Sequence, residues 1–373
     1  SITIPNAVTT IGENAFSGCS GLTEITLPFI GKSKTATGTD ARFGYIFGKT
    51  SYPGGDLTNG FYIPSMLTKV VITDITSVGE YAFSGCSKLT TLTLPDTVTS
   101  IGDYAFSGCS AVTSLNITTN VVSIGYGAFW NCSSLASLVI PEGITTIHPY
   151  TFNGCSGLQT INIPDSVTTI GELAFYNCSS LENITIPEGI TNISDLAFYN
   201  CSTLTTITIP NSVTRIGEHA FRNCAGLTSI SVPNTVESIG SHAFSGCRGL
   251  TEITLPFIGK SREATGAESR FGYVFGTTSF VGGDLSDGYY IPTDLTKLVI
   301  TDTISIDNNA FKACSKLTNI KLPNNLTSIG DSAFNGCSSL ISMVITNDVI
   351  NVGEHAFKEC TALTIFTEIV AKP

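Results

Sequence analysis

The sequence predicts a solenoid, a stack of short α/β coils in which each coil is one sequence repeat. Three observations predict it. A phrase close to I-T-I-P-x-x-V-T-x-I-G-x-x-A-F-x-x-C-S-x-L recurs along almost the whole chain. The cysteines keep its period: Cys86, Cys109, Cys132, Cys155, Cys178, Cys201, Cys224 and Cys247 are equally spaced, and Cys314, Cys337 and Cys360 keep the same interval. The steps from Cys19 to Cys86 and from Cys247 to Cys314 are longer and equal to each other, one period plus 44. A fixed short period is the mark of repeats that bury their apolar faces only by stacking.

A chain of 373 residues would ordinarily hold two or three domains. The unbroken period argues instead for a single solenoid over residues 1–373, with about 14 coils. Apolar residues make up 42% and charged residues 13%, enough to fill a continuous core. A net charge of -11 leaves no basic stripe to displace counterions from phosphates, so nucleic acid is not an expected partner. No apolar run approaches the roughly 18 residues of a membrane-spanning helix. The chain starts inside a repeat, at Ser1-Ile2-Thr3-Ile4-Pro5, without a polar end cap. It is expected to be a monomeric segment of a longer or processed protein.

One coil, Leu158 to Ser180, shows how each element arises. Leu158, Ile161 and Ile163 have the L-x-x-I-x-I spacing of a short strand with branched residues directed to the core. Pro164 lacks a ladder donor and stops that strand. Val167 and Ile170 suggest a second, shorter strand. After Gly171, the residues Ala174, Phe175 and Cys178 fit one or two helical turns with an inward stripe. The glycine place is Gly in nine of twelve coils and otherwise His148, Ser194 or Asp307. Gly, Ser and Asp share helix N-capping, and Pro149 after His148 suits a first helical position. The next place is acidic in eight of twelve coils, as the positive end of a helix dipole favours.

These residues resemble the BspA-type leucine-rich repeats of bacteria and protists, whose repeat reads close to L-T-x-I-x-I-P-x-x-V-T-x-I-G-x-x-A-F-x-x-C. The resemblance covers about 300 residues of the chain. It implies a leucine-rich repeat solenoid (α/β), curved and right-handed, with one parallel β-sheet face, short second strands and short helical turns. It also implies secreted or surface-exposed proteins that bind host matrix proteins or other cells without enzymatic activity.

Two island insertions, which lengthen the period by 44 residues each, depart from the plain pattern. The first spans residues 29–66, and the second, 257–294, is nearly the same text, with Phe257 answering to Phe29 and Tyr290 to Tyr62. The flanking coils share that displacement, which points to duplication of a whole block. Each island carries seven aromatics, so the pair holds 14 of the chain's 34. Loops of this length are usually functional or disordered, and the aromatic load argues against disorder. The rings either glue each island to the solenoid or anchor a partner. Phe43, Tyr45, Phe47, Tyr52 and Tyr62 are the candidate contacts in the first island. Phe271, Tyr273, Phe275, Phe280 and Tyr290 are those in the second.

No catalytic, cofactor or metal constellation stands out. The cysteines occupy one inward place per coil and are expected to be free thiols acting as small hydrophobes. Ligands spaced one per coil do not converge on zinc. His219, His242 and His355 share one place and read as surface variation. The G-G-D-L pieces with Asp56, Asn59, Asp284 and Asp287 faintly resemble calcium loops but contain strong turn formers. Nothing combines nucleophile, base and orienting group.

Two further surfaces could meet a partner. The outward strand positions form a weakly charged hydroxyl and amide face, although Thr also serves β-propensity. The place after each Phe turns aromatic at Trp130, Tyr176 and Tyr199. The expected function is a non-catalytic adhesion or protein-interaction module, extracellular or at a cell surface, with a protein ligand on host or neighbouring cells. The alternatives are a glycan-binding module using island aromatics and the Thr/Asn face, or a structural spacer.

Overall fold

The computed structural model describes residues 1–346 and 348–369. The chain forms two compact units, Ser1–Gly189 and Ile190–Pro373. Both are stacks of coils built on parallel β-pairing one repeat apart. In the first unit, Ser137–Val139 pairs in register with Thr160–Asn162, placing Leu138 beside Ile161. In the second, Ser229–Ser231 pairs with Glu252–Leu255, and Lys297–Ile300 with Asn319–Lys321. Ile161 and Ile163 point into the core while Thr160 and Asn162 face water, the alternation that the spacing predicts. Pro164 ends its strand, and its carbonyl accepts the Val167 N–H at 3.0 Å. The second strands also form, as in Ser77–Val78 with Ser100–Ile101 and Ser328–Ile329 with Asn351–Val352.

The expected helical turns do not form. The stretch from the glycine to the cysteine is a chain of i to i−3 turns with two left-handed residues per coil. One lies two places after the glycine, as at Tyr81 (φ 54°), Leu173 (φ 54°) and His219 (φ 55°). The other precedes the cysteine, where Gly and Asn predominate, as at Gly85 (φ 77°) and Asn223 (φ 62°). These residues turn alternate peptides along the stacking direction. Ala82 N–H bonds back to Gly79 at 3.2 Å and Ser84 N–H to Tyr81 at 3.1 Å. Between them, Tyr81, Phe83 and Gly85 donate to Asp103, Ala105 and Ser107 of the next coil at 2.9, 2.7 and 2.6 Å. An α-helix would consume those donors internally, so a wall bonded from coil to coil excludes it.

The glycine and the acid therefore have a different cause from helix capping. A Cβ on Gly102 would lie 2.8 Å from Glu80 N, and one on Gly171 or Gly240 would lie 2.4 Å from Pro149 N or Glu218 N. Glycine is needed because neighbouring coils touch there. At Gly79 the nearest atom is Ala41 Cβ at 3.8 Å, so its equivalent after the second segment, Asp307, is accommodated. Nothing in the structure explains His148 or Ser194 at this place. Short side chains at the following place accept a backbone N–H from the next coil. Asp103 Oδ1 accepts from Tyr126 and Asp195 Oδ1 from Glu218, at 2.8 and 2.9 Å. Asn308 and Asp331 do the same for Asp331 and Glu354.

Phenylalanines and cysteines form parallel ladders behind this wall. Phe106, Phe129, Phe152 and Phe175 stack at 5.4–5.5 Å within 16° of parallel. Phe198, Phe221 and Phe244 repeat this in the second unit. Most of the repeating thiols donate to the carbonyl of a Phe in the coil before, as Cys132 does to Phe106 and Cys247 to Phe221, both at 3.1 Å. All twelve cysteines are unbridged thiols. Burial pushes the thiols of Cys86, Cys132, Cys247 and Cys314 up to about 12.

Residues 29–66 leave the sheet and return without adding a strand, since Glu24–Leu27 pairs directly with Lys69–Ile72. They form 3-10 helices at Gly38–Ala41 and Phe43–Ile46 and a hairpin, Gly55–Thr58 against Phe61–Pro64. Asn59 (φ 47°) and Gly60 (φ 88°) make the hairpin's two-residue turn. Residues 257–294 repeat this fold, with helices Gly266–Ser269 and Phe271–Val274 and a hairpin turned at Asp287 and Gly288.

Two outcomes follow from this packing. A buried thiol with a raised pKa stabilises the fold fully below its unfolded value of 9.0, and that stability is lost as pH rises towards about 12. Each such thiol should remove about 1.4 kcal/mol per pH unit in that window. Urea unfolding under reducing conditions should therefore weaken steeply above pH 9, and a flat profile to pH 11 would contradict the buried ladder. Ala313 sits at a left-handed place (φ 60°) that most coils fill with Gly or Asn. Ala313→Gly should raise stability by about 1 kcal/mol, measured by the same unfolding assay.

Candidate functional site

The thirteen aromatics singled out in the sequence divide sharply by burial. Phe43, Phe47, Phe271 and Phe275 are fully buried and offer no ring surface to a partner. They complete the phenylalanine ladder. Phe47 lies 6.2 Å from Phe16, Phe43 lies 5.3 Å from Phe47, and Phe43 lies 5.3 Å from Phe83. Phe275 and Phe271 join Phe244 to Phe311 in the same way. The backbone agrees, because Phe16 N–H bonds to Ile46 and Phe43 N–H to Ala82, both at 2.8 Å. Each segment thus adds a layer to the turn wall and none to the sheet. The Ile46-Phe47 and Val274-Phe275 pairs, echoing the Ala-Phe of nearly every coil, were the available signal.

Tyr45, Tyr52, Tyr62, Tyr273, Phe280 and Tyr290 are half-exposed. Tyr52 donates its hydroxyl to the Tyr62 carbonyl at 3.1 Å, and burial raises its phenol to about 12. Where hairpin and helix meet, Phe61 lies against Gly44 and Tyr289 against Gly272. The aspartates of the second hairpin region are used locally. Asp287 lies 2.5 Å from Arg270 and 3.2 Å from Lys312, and Asp284 lies 3.5 Å from Lys316.

A surface that the sequence reading missed lies on the turn wall of the first unit. Tyr81 and Tyr104 stack at 5.1 Å and 7°. Tyr104 also meets Tyr126 at 6.2 Å and Trp130 at 5.8 Å. Tyr150 closes the group, 5.6 Å from Tyr126 and 6.1 Å from Trp130. All five rings are half-exposed. They come from three different places in the repeat. Tyr81, Tyr104 and Tyr150 occupy the left-handed place. Tyr126 stands one residue earlier, because Gly127 takes the left-handed conformation there (φ 53°). Trp130 follows Phe129. The Arg42 guanidinium lies 5.1 Å from the centre of the Tyr81 ring. Burial raises the phenols of Tyr104 and Tyr126, and the nearby carboxylates Asp103 and Glu172 push them in the same direction. Of the remaining nominated rings, Tyr176 and Tyr199 are half-exposed, and Arg222 lies 5.9 Å over Tyr199.

The duplicated block presents a different surface at the same backbone positions. Asn309, Ser332, Glu354 and Lys358 stand at the places that Tyr81, Tyr104, Tyr126 and Trp130 hold in the first block. An open trough of about 740 Å³ results, lined by Arg270, Asp307, Asn308, Asn309 and Asp331 among others. Arg270 corresponds to Arg42 but pairs with Asp287, whose counterpart in the first block is the uncharged Asn59.

His219 and His242 lie 4.9 Å apart, and burial lowers both pKa values. His242 Nε2 accepts the Thr277 N–H at 3.3 Å, so this ring anchors the second segment. On the sheet face, Thr90, Thr251 and Thr318 each donate a hydroxyl to a carbonyl of the preceding coil at 3.2 Å. Part of the threonine content is therefore structural, while strand residues such as Thr91, Thr93 and Asn162 remain exposed.

Similarity to known proteins agrees with this architecture. The profile of the BspA type leucine rich repeat region matches in six copies, over residues 1–35, 58–182, 145–262 and 284–368. The stretches left unmatched up to residue 283 fall inside the two long segments. A leucine-rich repeat protein of Bacteroides ovatus shares the fold, with 24% identity, TM-score 0.59, and coverage of 99% of this chain and 92% of that one. A leucine rich cell surface protein of Faecalibacterium prausnitzii is 28% identical over 86% of this chain and 87% of its own, with TM-score 0.37. A leucine-rich repeat protein of Eubacterium ventriosum is 24% identical over 83% and 86%, with TM-score 0.40. No curated protein sequence matches the chain. Among the described residues no helix is long and apolar enough to cross a membrane. Repeat profile and coil geometry together make this chain a member of the BspA-type leucine-rich repeat family, a scaffold for protein interaction.

Proposed function

We propose that the chain is a non-catalytic adhesion module of a cell surface, and that it binds a protein on a host or neighbouring cell through the aromatic row Tyr81, Tyr104, Tyr126, Trp130 and Tyr150. One observation carries this reading. The duplicated block keeps the same turns with Asn, Ser, Glu and Lys in place of four of these rings, so the scaffold does not require them. Clustered, half-desolvated Tyr and Trp are the residues that dominate protein interfaces, because they bury much area at small entropic cost. Family membership supports the surface location. The buried phenylalanines of residues 29–66 and 257–294 add support of a different kind. They make those segments part of the scaffold wall, which leaves the row as the larger aromatic surface.

Binding of the chain to immobilised matrix proteins and to intact cells tests the proposal. The double variant Tyr104→Ala, Trp130→Ala should weaken binding by at least about tenfold, the size of a central hot-spot loss. Lys358→Ala, at the equivalent of Trp130 in the other block, should leave it unchanged. Equal binding by the wild type and the double variant would remove the row as the contact.

A further inference from the structure

We infer that the partner segment seated on this row is cationic, an arginine- or lysine-rich stretch of protein. The inference rests on the proposed binding role of the row and adds the chemistry that the row selects. The first observation is charge. Between residues 79 and 189 the acids are Glu80, Asp96, Asp103, Glu142, Asp165, Glu172, Glu182 and Glu188, against Lys88 as the single Lys or Arg. The coils after the second segment are not one-signed, since Lys312, Lys316, Lys321 and Lys358 are interspersed with their acids. The coils that carry the rings are thus the coils stripped of positive charge.

The second observation is where those carboxylates stand. Asp103 acts on the Tyr104 phenol and Glu172 on the Tyr126 phenol, so acid and ring share one local field. Glu80, Asp103 and Glu172 are all exposed. The third is ring geometry. Tyr81 and Tyr104 cover each other, whereas Tyr126, Trp130 and Tyr150 meet their neighbours at 37–50°, so those faces are not closed against one another. A guanidinium or ammonium group over such a face is attracted by the ring quadrupole, and an adjacent carboxylate completes its coordination. The protein already uses this contact at the end of the row, where Arg42 caps Tyr81. The second block supplies a contrast. There the ring opposite the equivalent arginine is gone and Arg270 takes a carboxylate instead. An acidic partner would meet Glu80, Asp103 and Glu172 as like charges, and a neutral one would gain nothing from them.

Trp130 is the chain's one tryptophan and reports on the site directly. A synthetic peptide of alternating arginine and glycine, titrated at low salt, should change Trp130 fluorescence saturably. The change should weaken as salt is raised, and the matching glutamate-glycine peptide should produce none. Asp103→Asn with Glu172→Gln should lower the peptide's affinity by about tenfold without altering thermal unfolding. The asparagine retains the acceptor that Asp103 offers to Tyr126, as Asn308 does in the other unit. Binding of the glutamate peptide with equal strength, no response to the arginine peptide, or insensitivity to the two carboxylate changes would each overturn the inference. Should the arginine peptide fail while the Tyr104→Ala, Trp130→Ala variant still loses cell binding, the row remains a contact and its cationic specificity falls. Failure of both removes the adhesion reading as well.

Discussion

The fold depends on one constraint: backbone N–H groups of the turn wall must be satisfied by the next coil. Phe83 and Gly85 donate forward to Ala105 and Ser107, while Ala82 and Ser84 donate back within their own turn. That alternation requires peptides facing opposite ways, and two left-handed residues per coil provide it. Much of the repeat phrase follows. Gly or Asn before the cysteine accepts one left-handed place at low cost. Glycine after the second strand lets adjacent coils approach to backbone contact. Phe and Cys fill the space behind, and most thiols add a second donor to a Phe carbonyl that already accepts the cysteine N–H of its own coil.

The same constraint frees the surface. The first left-handed place points its side chain outward and needs a conformation more than a particular residue. It accepts Tyr, Leu, His, Asn and Ser along the chain. Strain at such non-glycine places costs of the order of 1 kcal/mol each, and the cooperative wall carries it. The two blocks exploit this freedom in opposite directions. One converts the place into an aromatic row in a field of carboxylates, and the other into a polar trough. At Tyr81 and Tyr104 the two blocks thus diverged where packing imposes little.

The solenoid, its strand register and its inward residues were legible in the sequence, because apolar spacing and one fixed period leave a single stacking solution. The helical turns were misjudged. Gly followed by an acid fits both a helix start and a coil contact, and only three-dimensional proximity separates the two. Phe43 and Phe47 looked like loop aromatics since nothing local reveals that a segment which skips the sheet still fills the wall. The aromatic row was missed for a related reason. Tyr104, Tyr126 and Trp130 occupy different places of the repeat, so alignment by period scatters them, although turn geometry brings them within 6.2 Å. Of these rings Trp130 alone was noticed, because it fills the place after a Phe that is usually polar.

Amide hydrogen exchange resolved to single residues tests the wall most directly. The account predicts that Phe83, Phe106 and Phe129, whose N–H groups bond to the next coil at 2.7, 2.8 and 2.9 Å, exchange as slowly as the strand amides of the same coils. Fast, loop-like exchange at these amides, with protection confined to the strands, would contradict a fold held together by coil-to-coil bonding of its turns.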